Sequence, residues 1–193
     1  REKIFIMTKG GIVNSKNKKN FKIKYIKKKI LNSLENLKTN YLDGYQLHNL
    51  NSEDNIKKLF KELTILKKKK TIRSIGFSSR DPSDAIKVIK KYKFDFLQIS
   101  FSVFDQRLIT SGLLKELKKR KVFLITRSPF NSGYLIENNK KKLFNKKLIK
   151  MITEFKKKNK RQIIYADKTF EYSALKYCIS FKEIVSVIVG MMS

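Results

Sequence analysis

The sequence predicts an α/β fold made of repeated βα units, part of a (β/α)8 TIM barrel. Three observations carry this. Apolar runs of strand length alternate with longer segments whose apolar residues recur at helical spacing. The alternation implies parallel strands joined by crossover helices. The seven glycines never form the G-x-G-x-x-G turn that a doubly wound dinucleotide-binding sheet would show after its first strand. A complete barrel takes eight strands and about 250 residues. The six strand candidates in 193 residues therefore amount to about three quarters of one.

The elements follow in order. "KIFIMT" (3–8) is the first strand candidate, and Ile26, Ile30, Leu34 and Leu37 then mark one face of a helix. "YLDGYQL" (41–47) is the second strand, followed by the stripe Ile56, Leu59, Leu63 and Leu66. "TIRSIGF" (71–77) leads into "SRDPSDAI", where Asp81 can cap free N–H groups, Pro82 suits the first helical position and Asp84 favours the positive helix end. A helix should begin at 82. "FDFLQISF" (94–101), a helix around Leu113 to Leu117, and "KVFLIT" (121–126) come next. The Lys/Asn-rich segment 138–160 reads as an elaborated βα loop plus a helix over Leu148 to Phe155. A last helix over Ala174 to Ile179 precedes the strand "EIVSVIV" (183–189).

Composition narrows the function classes. Net charge is +30, which invites a nucleic-acid reading through counterion release. Only seven of the 46 basic residues are Arg, however, and the lysines recur in short runs along the whole chain rather than in one stripe. They read as solvated faces, so nucleic acid is not the expected partner. The single cysteine, Cys178, cannot form an intramolecular disulfide and has no neighbours with which to share a metal. It reads as a small buried helix residue, and the expected compartment is the cytoplasm. No apolar run approaches the roughly 18 residues of a membrane span, so no membrane partner is expected. No linker suggests a second domain. The chain opens on Arg1 and enters an apolar stretch almost at once, as if cut from a longer protein.

A barrel gathers its functional residues at the C-terminal strand ends. Here those ends carry Lys9, His48, Ser78 and Ser79, Ser100 and Ser102, and Arg127 and Ser128. His48 is the only histidine of the chain, and Gln98 is a polar residue inside an apolar run that needs partners. Each also has a plainer reading: a structural imidazole, hydroxyls that satisfy turns, one lysine among many. Asp105 and Arg107 are read as a salt bridge that fixes the loop after the fourth strand.

Taken together, "IMTKGG" (6–11), "SLENLKTNYLDGYQLHNL" (33–50), "TIRSIGFSS" (71–79), "FDFLQISFSVFDQR" (94–107), "VFLITRSPFNSGYL" (122–135) and "SVIVG" (186–190) resemble the aldo-keto reductase family in successive order. The resemblance covers nearly all of the chain and implies the third to eighth strands of that family's barrel. It implies one incomplete domain over 1–193, lacking N-terminal βα units and the C-terminal helix and tail. It also implies an oxidoreductase that reduces an aldehyde or ketone to an alcohol with NADP(H), or NAD(H), using a Tyr, Lys, His, Asp tetrad.

On that resemblance Lys9 is the lysine that favours the phenolate of the catalytic tyrosine, and His48 orients the substrate carbonyl. Ser78, Gln98 and Ser79 hold the nicotinamide carboxamide, with Ser79 standing where the family commonly has Asn. Arg127, Ser128 and Pro129 resemble the family's "RSP" strand end. There Arg127 stacks on the nicotinamide, where many members have an aromatic ring, and Ser128 reaches the pyrophosphate. The family's Asp and Tyr precede its third strand, so this fragment alone is expected to be inactive. No metal is expected. The partners implied are the nicotinamide dinucleotide and a small carbonyl compound, while the choice between NADP and NAD and the oligomeric state are not legible. The alternative is a non-catalytic module on the same barrel, either sensing a cofactor or binding nucleic acid.

Overall fold

A computed structural model describes residues 4–13, 18–136, 149–158 except 152 and 156, and 169–190. It contains one sheet of six parallel strands in sequence order, β1 (Met7–Gly10), β2 (Gly44–Leu47), β3 (Ile75–Ser78), β4 (Phe96–Ser100), β5 (Phe123–Arg127) and β6 (Ile184–Ile188). Helices α1 (Ile23–Asn36), α2 (Lys57–Lys68) and α3 (Pro82–Lys91) connect the first four strands. The short α4 (Arg107–Thr110) and α5 (Leu113–Arg120) follow β4, and α6 (Phe170–Ile179) precedes β6. The expected succession of strands, all parallel, is therefore present as a partial (β/α)8 barrel.

The helices form for the reasons legible in the sequence. Ile26 and Ile30 bury one face of α1, and Leu59 and Leu63 bury one face of α2. In α3 the Asp81 carboxylate accepts from the N–H groups of Ser83 (2.8 Å) and Asp84 (3.1 Å), and Pro82 takes the first turn. Outward-facing strand residues such as Tyr45, Leu47, Phe77, Leu97, Ile99 and Leu124 meet these helix faces to make the core.

Each strand starts later than its apolar run, most clearly β1. The sequence places that strand at 3–8 with Lys9 beyond it, whereas the structure places it at Met7–Gly10 with Lys9 inside. The neighbour sets the limit, because Met7 pairs with Gly44, the first residue of β2. Before that point, Ile6 receives the N–H groups of Asp43 and Gly44 on its carbonyl and donates its own N–H to the Asp43 carboxylate at 2.9 Å. Ile4 and Phe5 are left exposed. Of the expected loop and helix over 138–160, residues 138–148, 152, 156 and 159–160 lie outside the described residues, and 149–151 and 153–155 are helical.

A Cβ on Gly76 would lie 2.1 Å from the Phe96 ring, so only glycine lets that ring lie across β3.

Candidate functional site

Strand register stacks the inward-facing residues at successive levels towards the C-terminal rim. Lys9 pairs with Gln46, Ser78 with Gln98, and Ser100 with Arg127. Alternation along each strand then turns Lys9, Gln46, Ser78, Gln98 and Arg127 to the same face. Just past β2, the His48 N–H donates to the Gly10 carbonyl at 2.8 Å, which anchors the histidine to β1. Asn49 follows at φ 56, in the left-handed region that Asn tolerates, and donates its N–H to the Ser78 hydroxyl at 2.9 Å. Leu50 donates to the Ser78 carbonyl (2.8 Å), and Ser79 to the Gln98 carbonyl (3.1 Å). The loops at this rim are thus tied strand to strand.

A cleft of about 220 Å³ opens here, lined by Lys9, His48, Asn49, Ser78, Ser79, Arg80, Gln98 and Arg127. It gathers Lys9, His48, Ser78, Ser79, Gln98 and Arg127, all singled out in the sequence. Ser128 and Pro129 do not line it; Ser128 sits just beyond β5 at φ 64, and Pro129 is buried. The Ser79 hydroxyl donates to the Asp81 carbonyl at 3.1 Å and accepts the Asp81 N–H at 3.4 Å, shaping the turn into α3.

Three residues here were not singled out in the sequence. Asn49 carried a weak signal, as a residue type that accepts positive φ directly after the histidine. Arg80 carried none, being one basic residue among 46. Gln46, which is buried, donates its side-chain NH2 to the side-chain Oε1 of Gln98 at 3.2 Å. It sits in the same apolar run as the strand signal that hid it.

The electrostatics are one-sided. Burial, then the charges of Lys9, Arg127 and Arg80, hold the His48 pKa below its ordinary 6.5, so the imidazole is neutral at neutral pH. Burial and the Arg80 charge also push the Arg127 guanidinium down, with Asp105 opposing. Asp105 is engaged elsewhere: Arg107 grips it through Nε at 2.8 Å and Nη2 at 2.9 Å, the loop-fixing pair that the sequence suggested. Cys178, on α6, is fully buried with its thiol donating to the Phe101 carbonyl at 3.6 Å, and burial raises its pKa to about 11. It is an inert packing residue. Among the described residues no group of His, Cys, Asp and Glu could hold a metal, and no helix is long and apolar enough to cross a membrane.

The donors at the cleft fit a nicotinamide carboxamide. The Gln98 side-chain oxygen accepts from Gln46, which leaves its NH2 group without an acceptor among the described residues, beside the Ser78 hydroxyl and the Ser79 hydroxyl, whose proton goes to the Asp81 carbonyl. A neutral imidazole beside a cationic rim can donate to a carbonyl oxygen without adding positive charge of its own.

Comparison with known proteins agrees with the fold. The chain is 35% identical over 113 residues to the uncharacterized oxidoreductase YqkF of Bacillus subtilis (strain 168), a stretch covering 58% of this chain and 36% of that protein. The fold matches the holo form of aldo-keto reductase AKR11C1 from Bacillus halodurans with a TM-score of 0.80 and 24% identity, covering 100% of this chain and 64% of that one. It matches the glycerol dehydrogenase AKR11B4 from Gluconobacter oxydans with a TM-score of 0.74 and 19% identity, covering 97% of this chain and 63% of that one. The chain thus spans less than two thirds of the length of each. The family model for the Aldo/keto reductase family matches residues 1–193 from end to end, and the chain belongs to that family.

Proposed function

We propose that the protein is part of an NAD(P)H-dependent oxidoreductase that reduces an aldehyde or ketone to an alcohol, with the cleft at the strand ends as its cofactor and substrate site. The observation that carries the reading is the convergence of Lys9, His48, Ser78, Ser79, Gln98 and Arg127 on one cleft at the C-terminal rim of the sheet. Ser78, Ser79 and Gln98 would hold the nicotinamide carboxamide, Arg127 would lie against the ring, and Ser128 and Pro129 would shape the turn towards the pyrophosphate. The bound cofactor supplies the hydride. His48 donates a hydrogen bond to the carbonyl oxygen and fixes its orientation. Lys9 places a positive charge where a tyrosine hydroxyl must give up its proton, which lowers the cost of forming the phenolate.

Among the described residues, no tyrosine lines the cleft. In this reading the general acid and its Asp partner come from the part of the family's barrel that precedes the strand matched by β1, and residues 1–193 alone bind cofactor without turning it over.

The experiment is a carbonyl reduction assay on the full-length protein, following consumption of NADPH and of NADH. Lys9→Met and His48→Gln should each cut kcat by about 10²-fold or more, the scale of positioned acid–base groups, while cofactor affinity stays close to wild type. Near-normal kcat in both variants would refute the assignment.

A further inference from the structure

We infer that Gln46 is a positioning residue: it holds the Gln98 amide by its oxygen and leaves the NH2 group for the cleft, so that the site reads the cofactor's pyridine substituent through its carbonyl oxygen and not through its NH2. This rests on the reading of the cleft as a nicotinamide site. Gln46 is 1% exposed and does not line the cleft, whereas Gln98 does. The Gln46 side-chain NH2 donates to the Gln98 Oε1 at 3.2 Å, reaching from β2 to β4 across β3. The span is open because β3 puts only Gly76, which pairs with Gln46, and Ser78, which pairs with Gln98, between the two side chains. On the N-terminal side the space is taken by an apolar ring. Phe96 precedes Gln98 by two residues on the same face of β4. A Cβ on Gly76 would lie 2.1 Å from that ring, and one on Gly44, two residues before Gln46, would lie 3.2 Å from it. This floor offers neither amide a polar partner, and a planar amide whose oxygen is held by one neighbour has its NH2 fixed as well.

The other side chains at this corner agree in polarity. The Ser78 hydroxyl oxygen accepts the Asn49 N–H at 2.9 Å, which leaves the Ser78 proton to give. The Ser79 hydroxyl is used in both directions, donating to the Asp81 carbonyl at 3.1 Å and accepting the Asp81 N–H at 3.4 Å. What remains beside Gln98 is a pair of donors, the Gln98 NH2 and the Ser78 O–H, which matches one carbonyl oxygen with its two lone pairs. A ligand NH2 in the same place would leave donors facing donors.

The test compares, by titration calorimetry on the full-length protein, the binding of NADPH and of its reduced 3-acetylpyridine analogue, with the NADH pair in parallel. The analogue keeps the carbonyl oxygen and carries a methyl group in place of the NH2. Wild type should bind the two within about threefold of each other, less than the loss of one hydrogen bond to a buried donor would cause. Gln46→Met cannot hold the Gln98 oxygen and should weaken both by about three- to tenfold with their ratio unchanged, because the freed amide turns to suit either. Gln46→Glu, kept ionised by its register partner Lys9, only accepts. It should take the Gln98 NH2, turn the Gln98 oxygen to the cleft and make the analogue bind at least about tenfold more weakly than NADPH. A merely structural role for Gln46 would move both affinities together in this variant too. Wild type that binds the analogue about tenfold or more weakly than NADPH would overturn the inference without any variant. An unchanged ratio in folded Gln46→Glu, or Gln46→Met that binds both as wild type does, would also overturn it. Failure of wild type to bind any of the nucleotides would instead refute the cofactor reading on which the inference rests.

Discussion

His48 shows how a residue's chemistry is set by its neighbours. Its position at a strand end is legible in the sequence, but its protonation state is not, since that depends first on burial and then on the charges of Lys9, Arg127 and Arg80, which come from three different strand ends. The folded protein disfavours the imidazolium, so between 6.5 and the lower folded value the unfolded chain binds more protons. The contribution of His48 to stability is therefore complete above 6.5 and is lost as the pH falls below that value through the folded pKa. An NMR titration of the only histidine should give a midpoint below 6.5, and Lys9→Met should move it upward; a wild-type midpoint at or above 6.5 would show that the cations do not converge as described. Gln98 was legible for the opposite reason: a polar residue in a buried apolar run must find partners. Arg80 was invisible because a lysine- and arginine-rich surface gives one more cation no distinction until the fold places it.

At the scale of elements, the helix start at Pro82 was readable because capping is local chemistry within four residues. Asp81→Ala should cost about 1 kcal/mol in urea denaturation, the usual loss for a capping side chain, and no loss would mean that the cap is redundant. The Asp84 N–H, then the Ser83 side chain and N–H, hold the Asp81 carboxyl below its ordinary 3.8, so the cap's contribution persists above that value and disappears as the pH falls through the lower folded pKa. Strand bounds were less readable, because a ladder begins where the neighbour begins, as Met7 does opposite Gly44. Gly76 is a tertiary requirement of the same kind. Gly76→Ala should destabilise by about 1–3 kcal/mol through overpacking against the Phe96 ring, and Phe96→Leu in the same chain should recover part of that loss. A neutral Gly76→Ala would show that the ring moves aside freely.

For the whole molecule, six parallel strands in sequence order leave β1 and β6 at the two edges of the described sheet. On the strand faces near one edge, Phe123 is 62% and Val185 57% exposed. Open edges beside exposed apolar side chains favour pairing with other chains. Residues 1–193 on their own should therefore self-associate with rising concentration in sedimentation velocity, despite the net charge of +30, and a strictly monomeric chain would contradict this. The order of βα units was legible because each needs only local periodicity and a short apolar run. The convergence of five strand ends on one cleft needed the fold. That convergence is the central claim, and it is tested most directly by titrating NADPH into the protein while following the His48 imidazole resonance. A saturable shift that is weakened by Gln98→Leu and by Arg127→Ala is the predicted result. Binding that leaves the His48 signal unmoved, or no binding at all, would contradict the placement of the cofactor in this cleft.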